Sequence, residues 1–68
     1  NLPFERTTRW LRGRIIERLR SLDDGAWDRL PASMGEHDEA AVTAAAIALG
    51  QEGLLERRPD GAVRLPSG

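Results

Sequence analysis

The side chains of this 68-residue chain that can do chemistry are ten arginines, eleven carboxylates and one histidine, His37. Cysteine is absent, which excludes thiolate zinc sites, iron–sulfur clusters, disulfides and thiol nucleophiles within these residues. We interpret His37 as a solvent-exposed turn residue near a helix start, with a proton-transfer role as the alternative. Asp23 and Asp24 are adjacent, and because neighbouring side chains in a turn point apart, we interpret them as helix-terminating residues.

The glycines of the chain show no phosphate-loop spacing, so no nucleotide-binding loop is indicated. We therefore expect that the chain is not an enzyme and holds neither a metal nor a cofactor.

The formal net charge of −1 hides a strong division along the chain. Residues 1–20 carry six arginines and two glutamates, a local charge of +4, whereas residues 21–56 carry one arginine against eight carboxylates, a local charge of −7. Residues 57–68 return to +2. The chain is thus basic at both ends, and two positive ends can face one anionic partner.

Hydrophobic spacing predicts that an amphipathic helix over residues 5–22 carries the first basic group. Leu11, Ile15 and Leu19 recur at intervals of four, and the arginines mostly take the opposite face. Gly13 interrupts this helix at a cost of about 1 kcal/mol relative to alanine. We expect it to serve a close backbone approach or a local packing need.

The acidic middle of the chain predicts a turn, a short strand and a short helix. Asp23-Asp24-Gly25 is the turn, and Ala26-Trp27 is the strand. The short helix covers residues 28–34, with Asp28 as its N-cap and Pro31 in its first turn. Its expected buried face comprises Trp27, Leu30 and Met34.

An alanine-rich third helix over residues 39–52 is predicted next, with Gly53 just past its end. Its expected buried stripe is Val42, Ala46 and Leu49. Residues 54–58 and 62–65 then have the pattern of two short strands, and Pro59-Asp60-Gly61 between them suits a tight hairpin turn.

The order of helix, short helix, helix and hairpin is typical of a winged helix-turn-helix domain. This fold is α+β and mostly helical, with three helices and a C-terminal β-hairpin called the wing. We predict one winged-helix domain over residues 5–66, with tails at 1–4 and 67–68. A domain of this size buries only about 60% of the surface of its unfolded chain, which allows one modest core.

The longest uncharged run, residues 40–51, is far shorter than the roughly 20 apolar residues of a membrane span. No signal-peptide pattern opens the chain, so we expect a soluble, cytoplasmic protein without a membrane partner. The sequence begins at Asn1 instead of a methionine, and we expect that it was cut from a longer protein.

Winged helices commonly bind DNA by placing the third helix in the major groove and the hairpin against phosphates. The third predicted helix has no basic residue, and Thr43 and Gln51 are its only neutral polar side chains able to bond a base edge. Base-specific recognition is therefore not favoured. The candidate contacts to the DNA backbone are Arg9, Arg12, Arg14, Arg57, Arg58 and Arg64.

Two alternatives remain for these surfaces. The arginines are equally compatible with solvated or salt-bridged positions, since Arg14 shares its helix with Glu17. The alanine face of the third helix, with Ile47 outside its buried stripe, is a candidate docking surface for another domain, although alanine is also simply the best helix former.

The opening of the chain carries a longer motif. Pro3-Phe4-Glu5 is followed by Trp10-Leu11-Arg12-Gly13-Arg14-Ile15-Ile16, and later by Gly53-Leu54-Leu55 and Asp60-Gly61. This order resembles the region after the iron–sulfur cluster in bacterial and archaeal A/G-specific adenine DNA glycosylases, base-excision repair enzymes of the HhH-GPD superfamily. The chain departs from the pattern at Arg6-Thr7, where glycine and serine are common in the family.

The resemblance implies a parent enzyme that flips adenine out of a mispair with oxidised guanine and hydrolyses its N-glycosidic bond. The catalytic carboxylates and the four cysteines of a 4Fe–4S cluster would lie upstream of Asn1, so no catalytic or metal residue transfers to this chain. The fragment would be a non-catalytic accessory domain. It would contact double-stranded DNA weakly and nonspecifically, or dock on the upstream catalytic domain.

Two other functions are compatible with the predicted fold. One is a DNA-binding module of a transcriptional regulator, and the other is a winged-helix protein-interaction domain that does not touch nucleic acid. An acidic flank on the third helix argues against the regulator, because it would bring negative charge toward phosphates.

Overall fold

Two helices and a two-stranded antiparallel hairpin form this small α+β domain. The structure is a computed structural model and describes residues 4–23 and 25–66. After a 3-10 turn at Phe4–Arg6, the elements are helix α1 (Thr8–Arg20), helix α2 (Glu39–Gln51), strand β1 (Glu56–Arg57) and strand β2 (Val63–Arg64).

Helix α1 is shorter at both ends than the predicted helix over residues 5–22. Thr7 has an extended backbone, and its side-chain oxygen accepts a hydrogen bond of 3.2 Å from the Trp10 N–H, which caps the helix. The extended Thr7 therefore separates α1 from the 3-10 turn. The predicted apolar stripe is confirmed, because Leu11, Ile15 and Leu19 are all buried.

Helix α2 matches the third predicted helix to within one residue. The Asp38 carboxylate accepts a hydrogen bond of 2.9 Å from the Ala41 N–H at its start. At its end Gly53 has a φ of +79°, and the Leu54 N–H donates to the Leu49 carbonyl at 2.9 Å. This is a Schellman cap, which needs a left-handed residue that glycine adopts without strain.

The predicted short helix over residues 28–34 is wrong, because the structure has no helix there. The Asp28 N–H donates to the Val63 carbonyl at 2.8 Å, and the Val63 N–H donates back to the Asp28 carbonyl at 2.9 Å. A residue whose backbone is paired in this way cannot open a helix. Pro31 adds to the effect, because the residue before a proline is disfavoured in the helical region.

The expected roles of individual residues in this segment change accordingly. The Asp28 carboxylate does not cap a helix but accepts a hydrogen bond of 2.7 Å from Arg18. Met34 and His37 close a turn through two backbone hydrogen bonds of 3.0 Å, with Gly35 at a φ of +59°. Leu30 and Met34 still pack against the core, as partly buried residues.

The hairpin is confirmed, with strands shorter than the predicted runs. Glu56 faces Arg64 and Arg57 faces Val63 in the antiparallel register. The bridge at Asp28 continues this small sheet, so β2 lies between β1 and the segment that precedes α2. The predicted strand at Ala26-Trp27 is therefore displaced, with its one pairing residue at Asp28.

The core lies where the two helices meet the hairpin. The side chains of the central apolar cluster come from α1, α2 and both sides of the hairpin. They are Leu11, Ile15, Leu19, Val42, Ala45, Leu49, Leu55 and Val63. Within residues 4–23 and 25–66, neither helix has the length and apolar character to cross a membrane.

Candidate nucleic-acid interface

Four of the six arginines predicted to contact DNA are engaged in ion pairs within the domain. The pairs are Arg12 with Glu52, Arg14 with Glu17 at 3.5 Å, Arg58 with Asp60 at 3.0 Å and Arg64 with Glu56 at 2.7 Å. Arg9 and Arg57 are exposed and form no ion pair with the residues that the structure describes. The surface cations are thus divided into a neutralised majority and a small group whose charge is uncompensated.

Two hairpin arginines contact the ring of Trp27. The Arg58 and Arg64 guanidinium carbons lie 4.7 and 4.4 Å from the centroid of the indole ring, and both guanidinium groups are also held by carboxylates of the hairpin. Cation–π contacts of this kind contribute roughly 0.5–1 kcal/mol each at exposed sites. Arg58 and Arg64 therefore fasten Trp27 to the hairpin, a contribution to folding that charge counting along the sequence does not reveal.

Two arginines, Arg29 and Arg58, bind the Asp60 carboxylate at the hairpin turn, and together with Arg57, which lines the cleft beside them, we call this group the Asp60 cluster. Asp60 Oδ2 accepts from Arg29 at 3.1 Å and from Arg58 at 3.0 Å, and the Asp60 carbonyl accepts a further bond of 3.3 Å from Arg29. Arg57 lines the same cleft, of about 250 Å³, as Arg29 and Asp60. Positive charge consequently exceeds negative charge at the turn.

The electrostatics of the Asp60 cluster follow from its hydrogen bonds. The pKa of Asp60 is lowered from its ordinary value, chiefly because the carboxylate accepts a hydrogen bond from the Ala62 N–H and then because Arg58 donates to it. The positive charge of Arg29 acts in the same direction. Asp60 is thus ionised at neutral pH and organises the two arginines that it binds.

Arg57 reaches this cleft by crossing α2. Its aliphatic stem passes Gly50, where an added Cβ would lie 3.1 Å from Arg57 Cδ. Glycine at this position leaves room for the stem, and the guanidinium remains exposed. On the neighbouring exposed face of α2, Thr43 and Gln51 offer neutral polar groups and no cation.

The first-helix arginines do not share this cleft. Arg12 and Arg20 line a separate groove between α1 and Leu54, in which none of the hairpin arginines takes part. Arg14 lies 5.9 Å from the Trp10 ring centroid, on another side of α1. The structure therefore does not bring the two predicted basic groups into one site.

Two arginines that line these clefts, Arg29 and Arg20, were not among the six predicted contacts. Arg29 is the single basic residue in an acidic stretch, and only the long-range bridge between Asp28 and Val63 brings it to the hairpin turn. Arg20 is exposed and forms no ion pair in the described part of the chain. The spacing of eleven residues between Arg9 and Arg20 places both on one face of a helix, and this pattern could have indicated Arg20 from the sequence.

The single histidine is not the solvent-exposed residue that we predicted. His37 is half-buried, and its ring stacks on Trp10 with centroids 5.7 Å apart and an angle of 16° between the planes. Among residues 4–23 and 25–66, no group of three or more histidine and carboxylate side chains is arranged to hold a metal ion.

Comparison of the chain with protein-family models, with curated proteins and with solved structures found no match. The resemblance to adenine DNA glycosylases stays a prediction.

Proposed function

We propose that this chain is a winged-helix accessory domain of a base-excision repair enzyme of the A/G-specific adenine glycosylase type, and that it contacts the backbone of duplex DNA. The order of α1, α2 and hairpin supports the winged-helix interpretation, as does the pairing of Asp28 with Val63, which adds a bridge from the preceding segment to the hairpin. In this interpretation the extended segment replaces the expected second helix.

The Asp60 cluster is the observation that carries the proposal. Three guanidinium groups, those of Arg29, Arg57 and Arg58, outnumber the carboxylates of Asp60 and Glu39 and give a net positive site beside the hairpin turn. Arginine donates in a planar fork that matches phosphate oxygens, so a phosphate can take the donors that Asp60 leaves unused. Of the six arginines predicted to contact the DNA backbone, the proposed site keeps Arg57 and Arg58. It also includes Arg29, which was not predicted.

Sequence-independent contact is the mode that this surface favours. The exposed face of α2 beside the cluster carries no cation, and Glu39 lines the same cleft. Base readout depends on side chains able to make paired hydrogen bonds with base edges. Thr43 alone lines the cleft with a neutral polar side chain, which favours backbone contact over reading of sequence.

A salt titration tests the proposal. We expect the domain to bind a fluorescein-labelled 20-base-pair duplex weakly, with log Kd rising linearly with log salt concentration between 50 and 200 mM. The double variant Arg29→Gln/Arg57→Gln should reduce that slope by about 2, since each lost phosphate contact removes about one counterion. Fluorescence anisotropy measures both quantities.

The matched control changes the same charge elsewhere. Arg9→Gln/Arg20→Gln also removes two exposed cations, but from α1. It should leave the slope of log Kd against log salt concentration nearly unchanged. Equal reduction by both double variants would contradict a site at the hairpin turn. Absence of binding at low salt would favour docking on the catalytic domain, and a strong preference among unrelated duplexes would favour a transcriptional regulator.

The glycosylase part of the proposal has its own test. The gene that encodes this chain should also encode four closely spaced cysteines shortly upstream of the codon for Asn1. If sequencing of that gene shows no such cysteines, the assignment to an adenine glycosylase is wrong, while the DNA-contact site at Asp60 stands or falls on the salt titration alone.

A further inference from the structure

We infer that the domain has a second interaction surface, on α1, which binds an apolar helix of a protein partner with a carboxylate near each end. The surface is a groove between α1 and the residues that follow α2, and we call it the α1 groove. Gly13, Ile16, Leu49 and Leu54 form its floor, and Arg12, Glu17 and Arg20 form its rim.

Gly13 is the first observation that points to a partner. Glycine is among the least favourable residues in a helix interior, and it lies near the middle of α1. A Cβ added at Gly13 would meet no atom of the described domain within 4 Å. No contact inside the described domain therefore explains why this position is glycine. The close approach of a partner's backbone to α1 would explain it.

The floor of the groove is the second observation. Leu54 is 47% exposed, and Ile16 beside it is only half-buried. The cap at the end of α2 explains why Leu54 lies near Leu49, since a hydrophobic contact commonly accompanies a Schellman cap. It does not explain why about half of Leu54 remains uncovered. A helix lying along α1 would cover Leu54 and Ile16 together.

Charge identifies the occupant. Arg9, Gly13, Ile16 and Arg20 are spaced by four, three and four residues, so they form one row along α1. Arg9 and Arg20 are exposed, without ion pairs to described residues, and about 16 Å apart along the axis at 1.5 Å per residue. Carboxylates near both ends of an apolar helix complement these two cations.

A second copy of the chain is a poorer occupant. If two α1 helices packed antiparallel with Gly13 of one opposite Ile16 of the other, Arg9 of each copy would face Arg20 of its neighbour. Like charges opposed in this way are destabilising. Duplex DNA is also disfavoured here, because the floor of the groove is apolar and offers a phosphate no partner.

A designed peptide tests the inference. The probe is a 19-residue alanine-based helix with glutamate at its fourth and fifteenth positions, alanine at its eighth and leucine at its eleventh, so that these four share a face. Its control replaces both glutamates by lysine. Titration of each peptide into the ¹⁵N-labelled domain is followed by NMR, and we expect only the acidic peptide to shift the amide signals of Gly13, Ile16 and Leu54.

Two substitutions separate docking from folding. Gly13→Leu fills the groove and should weaken binding of the acidic peptide at least tenfold, while the better helix propensity of leucine leaves the melting temperature unchanged or raised. Arg9→Gln/Arg20→Gln should weaken binding at least threefold and narrow the difference between the two peptides.

Each other outcome overturns the inference. These outcomes are no binding of the acidic peptide, equal binding of both peptides, amide shifts outside the groove, and binding that Gly13→Leu leaves intact. A dimer in sedimentation velocity that Gly13→Leu dissociates would assign the groove to a second copy. Loss of duplex DNA binding on Gly13→Leu would assign it to DNA.

Discussion

Trp10 and Trp27 hold the same non-helical segment, residues 26–37, but they do so by different physical means. Trp10 reaches from α1 to the far end of the segment, where it touches Gly35 and stacks on His37. Trp27 belongs to the near end, and two hairpin arginines stack on its ring. The first contact depends on steric fit, and the second on charge and an exposed aromatic face.

This difference predicts unequal tolerance to substitution. A contact that depends on close approach is lost when a methyl group is added, because the ring or the backbone must shift to avoid the new atom. A group of two arginines stacked on one indole keeps part of its interaction energy when one arginine is changed. The Trp10 end of the segment should therefore be the more sensitive one.

The largest effect is expected for Gly35→Ala. The added Cβ would lie 2.7 Å from Trp10 Cη2, and the φ of +59° is one that alanine adopts only with strain. We expect a loss of about 2–3 kcal/mol in the free energy of unfolding, measured by urea denaturation.

Gly53→Ala is the matched control for that substitution. Gly53 has a φ of +79°, but a Cβ there meets nothing within 4 Å, so only the backbone strain remains, at about 1 kcal/mol. Equal losses in the two variants would show that the contact between Trp10 and Gly35 contributes nothing beyond backbone conformation.

These two glycines also show what could be read from the sequence. Gly53 follows an alanine-rich periodic run, so its role as a helix end was predictable, and Asp60-Gly61 marked the hairpin turn in the same local way. The role of Gly35 depends on Trp10, which is 25 residues earlier in the chain. Local patterns carry no information about such a contact.

The same limit explains the failure of the predicted helix over residues 28–34. Asp28 has the features of an N-cap, but its backbone pairs with Val63, which lies 35 residues later. The candidate site was also only partly predictable, because some of its contacts join residues that are far apart in the sequence. The charge blocks of the sequence indicated Arg57 and Arg58 as candidate residues. The pairing of Arg29 with Asp60 and the stacking of Arg64 on Trp27 depend on the fold and could not be predicted from those blocks.

A smaller effect is expected at the other end of the segment, for Trp27→Leu. Leucine keeps part of the apolar contact and removes the ring on which both arginines stack. We expect a loss of about 1–2 kcal/mol in unfolding free energy by urea denaturation. Arg64→Met, which keeps much of the stem and removes one stacked cation, should lose about half as much. A larger loss from Arg64→Met than from Trp27→Leu would contradict a contribution from the stacking of both arginines on the ring.

The smallest effects concern the carboxylates at the two ends, Glu36 beside Trp10 and Asp60 beside Trp27. Arg6 donates to Glu36 and lowers its pKa below the ordinary 4.5, while the Ala62 N–H and then Arg58 lower that of Asp60 below 3.8. A lowered pKa in the folded state adds stability that is fully present above the ordinary value and is lost as the pH falls through the folded value. The melting temperature should therefore drop on acidification below about pH 4.5, as each carboxylate is protonated.

Substitution of each carboxylate by its amide separates the two ends. Glu36→Gln and Asp60→Asn should each lower the melting temperature at pH 7, and the difference from the unchanged protein should shrink as the pH falls through the folded-state pKa of each carboxylate. Asp60→Asn should have the larger effect, because Asp60 binds two arginines and a backbone N–H, whereas Glu36 binds Arg6 in a solvent-exposed pair. Melting curves recorded by circular dichroism from pH 2 to 7 measure the difference. If Glu36→Gln had the larger effect, charge would contribute more to stability at the Trp10 end than at the Trp27 end. That result would contradict the assignment of steric fit to Trp10 and of charge to Trp27.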